Sequence, residues 1–162
     1  MTIGALPSEK LPDPFANFFT TYNRTRIQEQ VRNLVGACTF ARSGLKAKRV
    51  ILCGAGRAGL WAMLAAPAAD AVVADCNQLD VSRDEALLAP DLFCPGIRKI
   101  GTFEGAAMLA APHPLLLHNT GGKFVTDALR SAYQSIGASR KLQVESSQLS
   151  DEELAQWISR LK

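Results

Sequence analysis

With 162 residues, 48% of them apolar, the chain is long enough to bury one good core and too short for two ordinary domains. Its 18 Lys and Arg exceed its 15 Asp and Glu, for a net charge of +3. The cations (Arg24, Arg26, Lys46, Lys48, Arg49, Arg98, Lys99) form no long run and do not interleave with aromatics, so the sequence reads as a solvated basic surface with no nucleic-acid partner.

Residues 1–23 carry Pro7, Pro12 and Pro14 with little periodicity and read as an extended arm, with Phe15, Phe18, Phe19 and Tyr22 as anchors to a single α/β domain over 24–162. The opening MTIGALPSEK is not a signal peptide. The most apolar run, Leu60 to Ala69, is too short to span a bilayer, so the expected setting is cytoplasmic, with no membrane contact. Ile27, Val31, Leu34, Val35 and Cys38 recur at helical spacing, with Ser43-Gly44 as the stop. Arg49 to Cys53 (RVILC) reads as a strand buried on both faces of a parallel sheet, followed by a glycine loop and a helix from about Arg57 to Ala66. Ala71 to Ala74 is a second such strand, closed by Asp75.

Residues 76–112 hold Pro90, Pro95 and Gly96 and predict a long excursion with helical pieces near Asp84 to Leu88 and Phe103 to Ala111. Pro114 to His118 is a third buried strand. The helix after it carries Val125, Leu129, Ala132, Tyr133 and Ile136 on one stripe and stops at Gly137. Leu142 to Glu145 alternates, as a strand near an edge does. Ser150-x-x-Glu153 is a capping box opening a last helix with Leu154, Trp157, Ile158 and Leu161 facing inward. The expected fold is a small parallel sheet of about four strands with helices on both faces.

Ligands of parallel sheets bind beyond the carboxyl ends of the strands, where helix N-termini converge. Here that places a site at Gly54, Ala55, Gly56 and Arg57, with Asp75, His118, Asn119, Gly121 and Gly122 from the neighbouring loops. Gly54 to Gly59 reads G-A-G-R-A-G, and Asp75 ends the next strand. Together they match a dinucleotide fingerprint, with NAD(P) as the cofactor and RVILC at the centre of the sheet. The alternative is a sharp turn that needs small residues.

The four cysteines are widely spaced, with no C-x-x-C pair. Cys53 and Cys76 are expected to be packed, inert thiols, and Cys76 with His118 as base is the weak candidate for an unconventional nucleophile. Two histidines and no clustered His, Cys or carboxylates argue against a metal site.

The segments DPFANFFTTYNRTR, RVILCGAGRAGLWAMLAA, AVVADCNQLD and GTFEGAAMLAAPHPLLLHNTGGKF, with the last strand and helix, resemble the C-terminal half of α/β-hydrolases of the dienelactone hydrolase and acetyl xylan esterase type. The resemblance implies that GAGRAG is a nucleophile elbow, G-x-S-x-G, with Gly56 in the place of the serine. It also implies that these four strands are the last four of the family sheet and that RVILC lies at an edge. The family acid would fall in Asn119 to Gly122, which holds no carboxylate, and the family histidine in the loop after the last strand, Glu145-Ser-Ser-Gln-Leu-Ser, which holds no histidine. That leaves Asp75 as a substitute acid. The resulting expectation is a hydrolase-like domain without a Ser-His-Asp triad and without a cofactor. It would bind a small acyl or sugar-like ligand or serve as a structural element, forming a homodimer or joining a partner chain through the exposed sheet edge.

Overall fold

The computed structural model describes residues 23–161; the aromatic arm predicted over 1–23 lies almost wholly outside the described residues. Helix α1 spans Arg26–Ser43. A capping box opens it, with the Thr25 hydroxyl accepting from the Gln28 amide and the Gln28 side chain returning to the Thr25 N–H. Strand β1 is Ile51–Gly54 and helix α2 is Ala58–Leu64, continued by a 3-10 turn at Ala66–Ala68. Pro67 removes one donor, so the chain tightens where the sequence predicts one longer helix. Strand β2 is Ala71–Asp75. The excursion contains α3 at Asp84–Leu87, a 3-10 turn at Ile97–Ile100 and α4 at Thr102–Met108. Strand β3 is Leu115–His118, α5 is Asp127–Ser135, β4 is Leu142–Val144 and α6 is Asp151–Ser159.

The four strands are parallel and lie in the order β1-β2-β3-β4. Strand β2 is therefore interior and β1 is an edge among the described residues, so the central place that a dinucleotide fingerprint requires of β1 is not found. Three crossovers step the same way across the sheet, and right-handed connections place them all on one face. There α1 packs on α2, α2 on α4, and α4 on α5, with α2 seated over β1 and β2.

Register decides what each face buries. Leu52, Val72, Leu115 and Leu142 form one row, and Gly54, Ala74, Leu117 and Val144 another, both under the helices. Ile51, Cys53, Ala71, Val73, Leu116 and Gln143 alternate to the second face. Trp157 and Leu161, in and just after α6, share a cleft with Ala71 and Gln143 on that side. The helical layer holds the main core: Leu60, Trp61, Met63, Phe103, Leu129 and Tyr133 are buried in it.

Two helical stripes and one strand residue depart from expectation. Val35 is exposed, and α1 instead turns Ile27, Gln30 and Cys38 inward. Val125 and Ile136 are also exposed, because they lie just outside α5, where its period no longer applies. Cys53 is exposed, not packed, because it points to the second face from an edge strand, where among the described strands only β2 lies beside it.

Tertiary hydrogen bonds complete elements that local sequence leaves open. The N-terminus of α5 has no side-chain cap of its own. Glu104 of α4 supplies one, its Oε1 accepting from the Ala128 and Leu129 amides at 2.9 and 3.3 Å. The Tyr133 hydroxyl donates to the His113 carbonyl at 2.8 Å, tying α5 to the chain entering β3. At the amino end of the sheet, Asp70 accepts from the Val50 amide at 2.7 Å and pairs with Arg42 of α1 at 2.9 Å. No helix among the described residues is long and apolar enough to cross a membrane.

Candidate functional site at the carboxyl ends of the strands

The glycine loop is tight because two of its glycines sit against main chain. A Cβ on Gly59 would fall 2.1 Å from the Asp75 carbonyl oxygen, and one on Gly54 would fall 2.5 Å from that of Ala58. Gly59 thus lets the first turn of α2 lie directly on the end of β2. Gly56 is different: its φ is +53°, and nothing lies within 4 Å of where a Cβ would stand. It sits at the apex of the strand-to-helix turn, facing open space in a conformation that glycine adopts without strain.

Asp75 organises the rest. It is 3% exposed, and both carboxylate oxygens are engaged. Oδ2 accepts from the Gly56 amide at 2.9 Å, while Oδ1 accepts from the Asn77 amide at 2.7 Å and from Asn119 Nδ2 at 2.8 Å. The Asn119 side-chain oxygen in turn accepts from Gln78 Nε2 at 3.2 Å, and the Gln78 amide donates to the Asn119 carbonyl at 2.8 Å. One buried carboxylate therefore ties together the loops after β1, β2 and β3. Gly56, Asn77, Gln78 and Asn119 all have positive φ; for the three that are not glycine this is strained backbone, and it gathers around this carboxylate and its partners.

The structure brings the predicted residues Gly56, Asp75 and Asn119 into direct contact. Gly54 is packed beneath the turn, His118 is buried at the end of β3, and the others lie at the rim. Gly121 and Gly122 are exposed with φ of +58° and +68°, and the Gly121 amide donates to the Ser146 carbonyl, so this loop is pinned to the segment after β4. Ala55 is exposed. Arg57 is turned outward and pairs with Asp91 of the excursion at 2.5 Å, beside Trp61 Nε1 donating to the Asp91 carbonyl. Gln78 belongs to the cluster although sequence reading passes over it; its only signal is its place beside Asn77 in the loop that follows Asp75.

His118 is 3% exposed, and its Nδ1 accepts from the Leu149 amide at 3.3 Å. That bond fixes the neutral tautomer with the proton on Nε2. Burial lowers the pKa of the ring, and the negative charge of Asp75 opposes this only in part. Cys76 is fully buried. Desolvation pushes its thiol far above the ordinary range, with Asp75 adding to the shift, so the group is held as a thiol. The exposed Cys53 is likewise pushed up by desolvation. His113 is exposed beside the amino end of β3, at the opposite end of the sheet from the glycine loop.

These contacts limit the chemistry. A ribose-binding carboxylate must be reachable, and Asp75 is 3% exposed with both oxygens already accepting from the protein. An anion hole needs free amides. In this turn the Gly56 amide serves Asp75 and those of Ala58 and Gly59 bond to the carbonyls of Ala55 and Gly56, which leaves the Arg57 amide, next after Gly56, as the donor without a partner among the described residues. Nucleophilic acyl transfer needs a reactive side chain at the apex, and Gly56 has none. Among the described residues no group of three or more His, Cys, Asp or Glu is placed to hold a metal ion. No family model matches this chain, and no curated protein or solved structure is significantly similar to it.

Proposed function

We propose that the chain is a hydrolase-like domain without an ester-cleaving triad, whose role is assembly through the open edge of β1. One observation carries this reading: among the described residues β1 is an edge strand of an all-parallel sheet, with its outward main-chain groups available for pairing. Val50 bonds to Asp70 through both its N–H and its C=O, so the next outward-pointing residues along β1 are Ile51 and Cys53. Parallel sheets are ordinarily covered, and an open edge is a template for another strand. A second copy of the chain is the simplest occupant.

The hydrolase likeness is supported by the consecutive strand order and by the positive φ and open space at Gly56, where an elbow would present its nucleophile. The carboxyl-end cluster then reads as a fastening of three loops through Asp75. The dinucleotide reading loses support on two counts, the edge position of β1 and the engagement of both Asp75 oxygens.

Sedimentation velocity on the wild type and on Cys53→Pro tests the proposal. Proline removes the outward N–H and leaves the β1–β2 ladder in place, a substitution that edge strands tolerate. A wild-type dimer that becomes monomeric in the variant is expected. A monomeric wild type, or a dimer indifferent to both Cys53→Pro and Cys53→Lys, would refute assembly through this edge.

A further inference from the structure

The sequence scatters its cations, but the fold gathers five of them at the end of the sheet opposite the glycine loop. Lys48 and Arg49 lie just before β1, Arg140 and Lys141 just before β4, and Arg160 at the end of α6. Parallel strands all begin on the same side, so residues that precede β1 and β4, the two edge strands, lie along one rim of the sheet although about ninety positions separate them in sequence. All five line a single cleft of about 660 Å³. A volume of that order is typical of small-molecule sites.

Among the described residues, none of the five has a carboxylate within ion-pair distance. The acid in the lining, Asp70, is already committed to Arg42 and to the Val50 amide, so it offers the cleft little opposing charge. Arg49 donates through Nη1 to the Leu161 carbonyl, which fixes its guanidinium at the cleft and leaves its other donors unassigned. The half-buried Trp157 forms part of the wall.

We propose that this cleft binds a small molecule carrying a polyphosphate group. Five cations lining one cleft repel one another, and a multiply charged anion relieves that repulsion. A single carboxylate would leave most of the charge unopposed. Three arginines supply planar donor forks suited to phosphate oxygens, and the lysines add point charges. The concave shape selects a compact ligand over an extended nucleic-acid backbone, which would need a basic stripe.

Calorimetric titration of the full chain with inorganic tripolyphosphate and with ATP tests this, with adenosine as the uncharged control. Saturable binding of one tripolyphosphate per chain is expected, weakening as salt is raised. In the folded Arg140→Gln/Lys141→Gln double variant, affinity falls about tenfold or more. Arg160→Gln, at the exposed end of α6, is expected to weaken binding several-fold and serves if the double variant does not fold. The proposal is overturned by absent or non-saturable binding of tripolyphosphate, by equal affinity in wild type and variants, or by adenosine binding as tightly as ATP. Binding of an oligonucleotide without saturable binding of tripolyphosphate would also overturn it, in favour of a nucleic-acid surface.

Discussion

Replacing Gly59 with alanine isolates the contact that sets α2 on β2. The added methyl would lie 2.1 Å from the Asp75 carbonyl oxygen and 2.4 Å from its nitrogen, both main-chain atoms that cannot turn aside. Restoring a tolerable separation requires α2 and β2 to part by roughly 1 Å, and a gap of that size forfeits a quarter to a half of the dispersion energy across a packed interface. The face affected carries Leu60 and Met63, both fully buried, so the expected loss is about 3 kcal/mol or more. The same motion pulls on the Asp75 carboxylate and its bond to the Gly56 amide. Gly56→Ala is the matched control. Its methyl meets nothing within 4 Å, and only the positive φ is penalised, at about 1–2 kcal/mol. Urea unfolding monitored by circular dichroism measures both. A Gly59→Ala midpoint equal to or above that of Gly56→Ala would refute close helix-on-strand packing as the reason for this glycine.

Asp75→Asn replaces one acceptor oxygen with a donor among three donors, and stability is expected to fall by about 2–4 kcal/mol in the same assay; an unchanged midpoint would show that the three loops do not depend on this carboxylate. Gln30 is 1% exposed, and neither its Nε2 nor its Oε1 has a hydrogen-bond partner among the described residues. Gln30→Leu is therefore expected to raise the melting temperature by the equivalent of about 1–3 kcal/mol, and a fall would show that the amide is bonded in solution. The lowered pKa of His118 means that the unfolded chain binds its proton first as pH drops. His118 thus contributes stability above its unfolded pKa of about 6.5, lost as pH falls toward the folded value at no more than about 1.4 kcal/mol per unit. His118→Gln should flatten that part of the stability profile relative to wild type; identical profiles would contradict the shift. Gly56→Ser is expected to gain no turnover of a p-nitrophenyl ester, because the ring of His118 is bonded to the Leu149 amide and Cys76 is buried as a thiol. Measurable hydrolysis would place a working base at the apex.

The sheet was the most legible part of the molecule. RVILC, AVVAD and PLLLH are short apolar runs bounded by turn residues and the stretch after Lys141 alternates, and each forms a parallel strand within a residue or two of its expected ends. Both outer capping-box signals belong to the same class of local information, although only Ser150-x-x-Glu153 is conspicuous; Thr25-x-x-Gln28 is equally formed. Strand order is not local. The GAGRAG motif reads alike whether β1 is central or at the edge, and only pairing across the chain separates the two. The exposure of Cys53 follows from that pairing and could not be read from its apolar neighbours.

The site was legible in its membership and hidden in its bonding. Gly56, Asp75 and Asn119 were foreseeable as neighbours because parallel topology brings the carboxyl ends of adjacent strands together. That Asp75 spends both oxygens on the protein depends on Asn77, Gln78 and Asn119 adopting positive φ, which residue type permits without requiring. The basic cleft illustrates the same limit at the other end of the sheet. Lys48-Arg49 and Arg140-Lys141 are ordinary pairs in sequence, and their place along one rim is a product of the parallel topology.

Assembly through β1 is tested most directly by hydrogen exchange at the Ile51 and Cys53 amides, followed by NMR at high and low protein concentration. If a second copy pairs with this edge, both amides are protected at high concentration and exchange freely on dilution, while the interior amides of β2 stay protected throughout. Exchange at Ile51 and Cys53 that is fast at every concentration, or protection that does not change on dilution, would contradict pairing between copies at this strand.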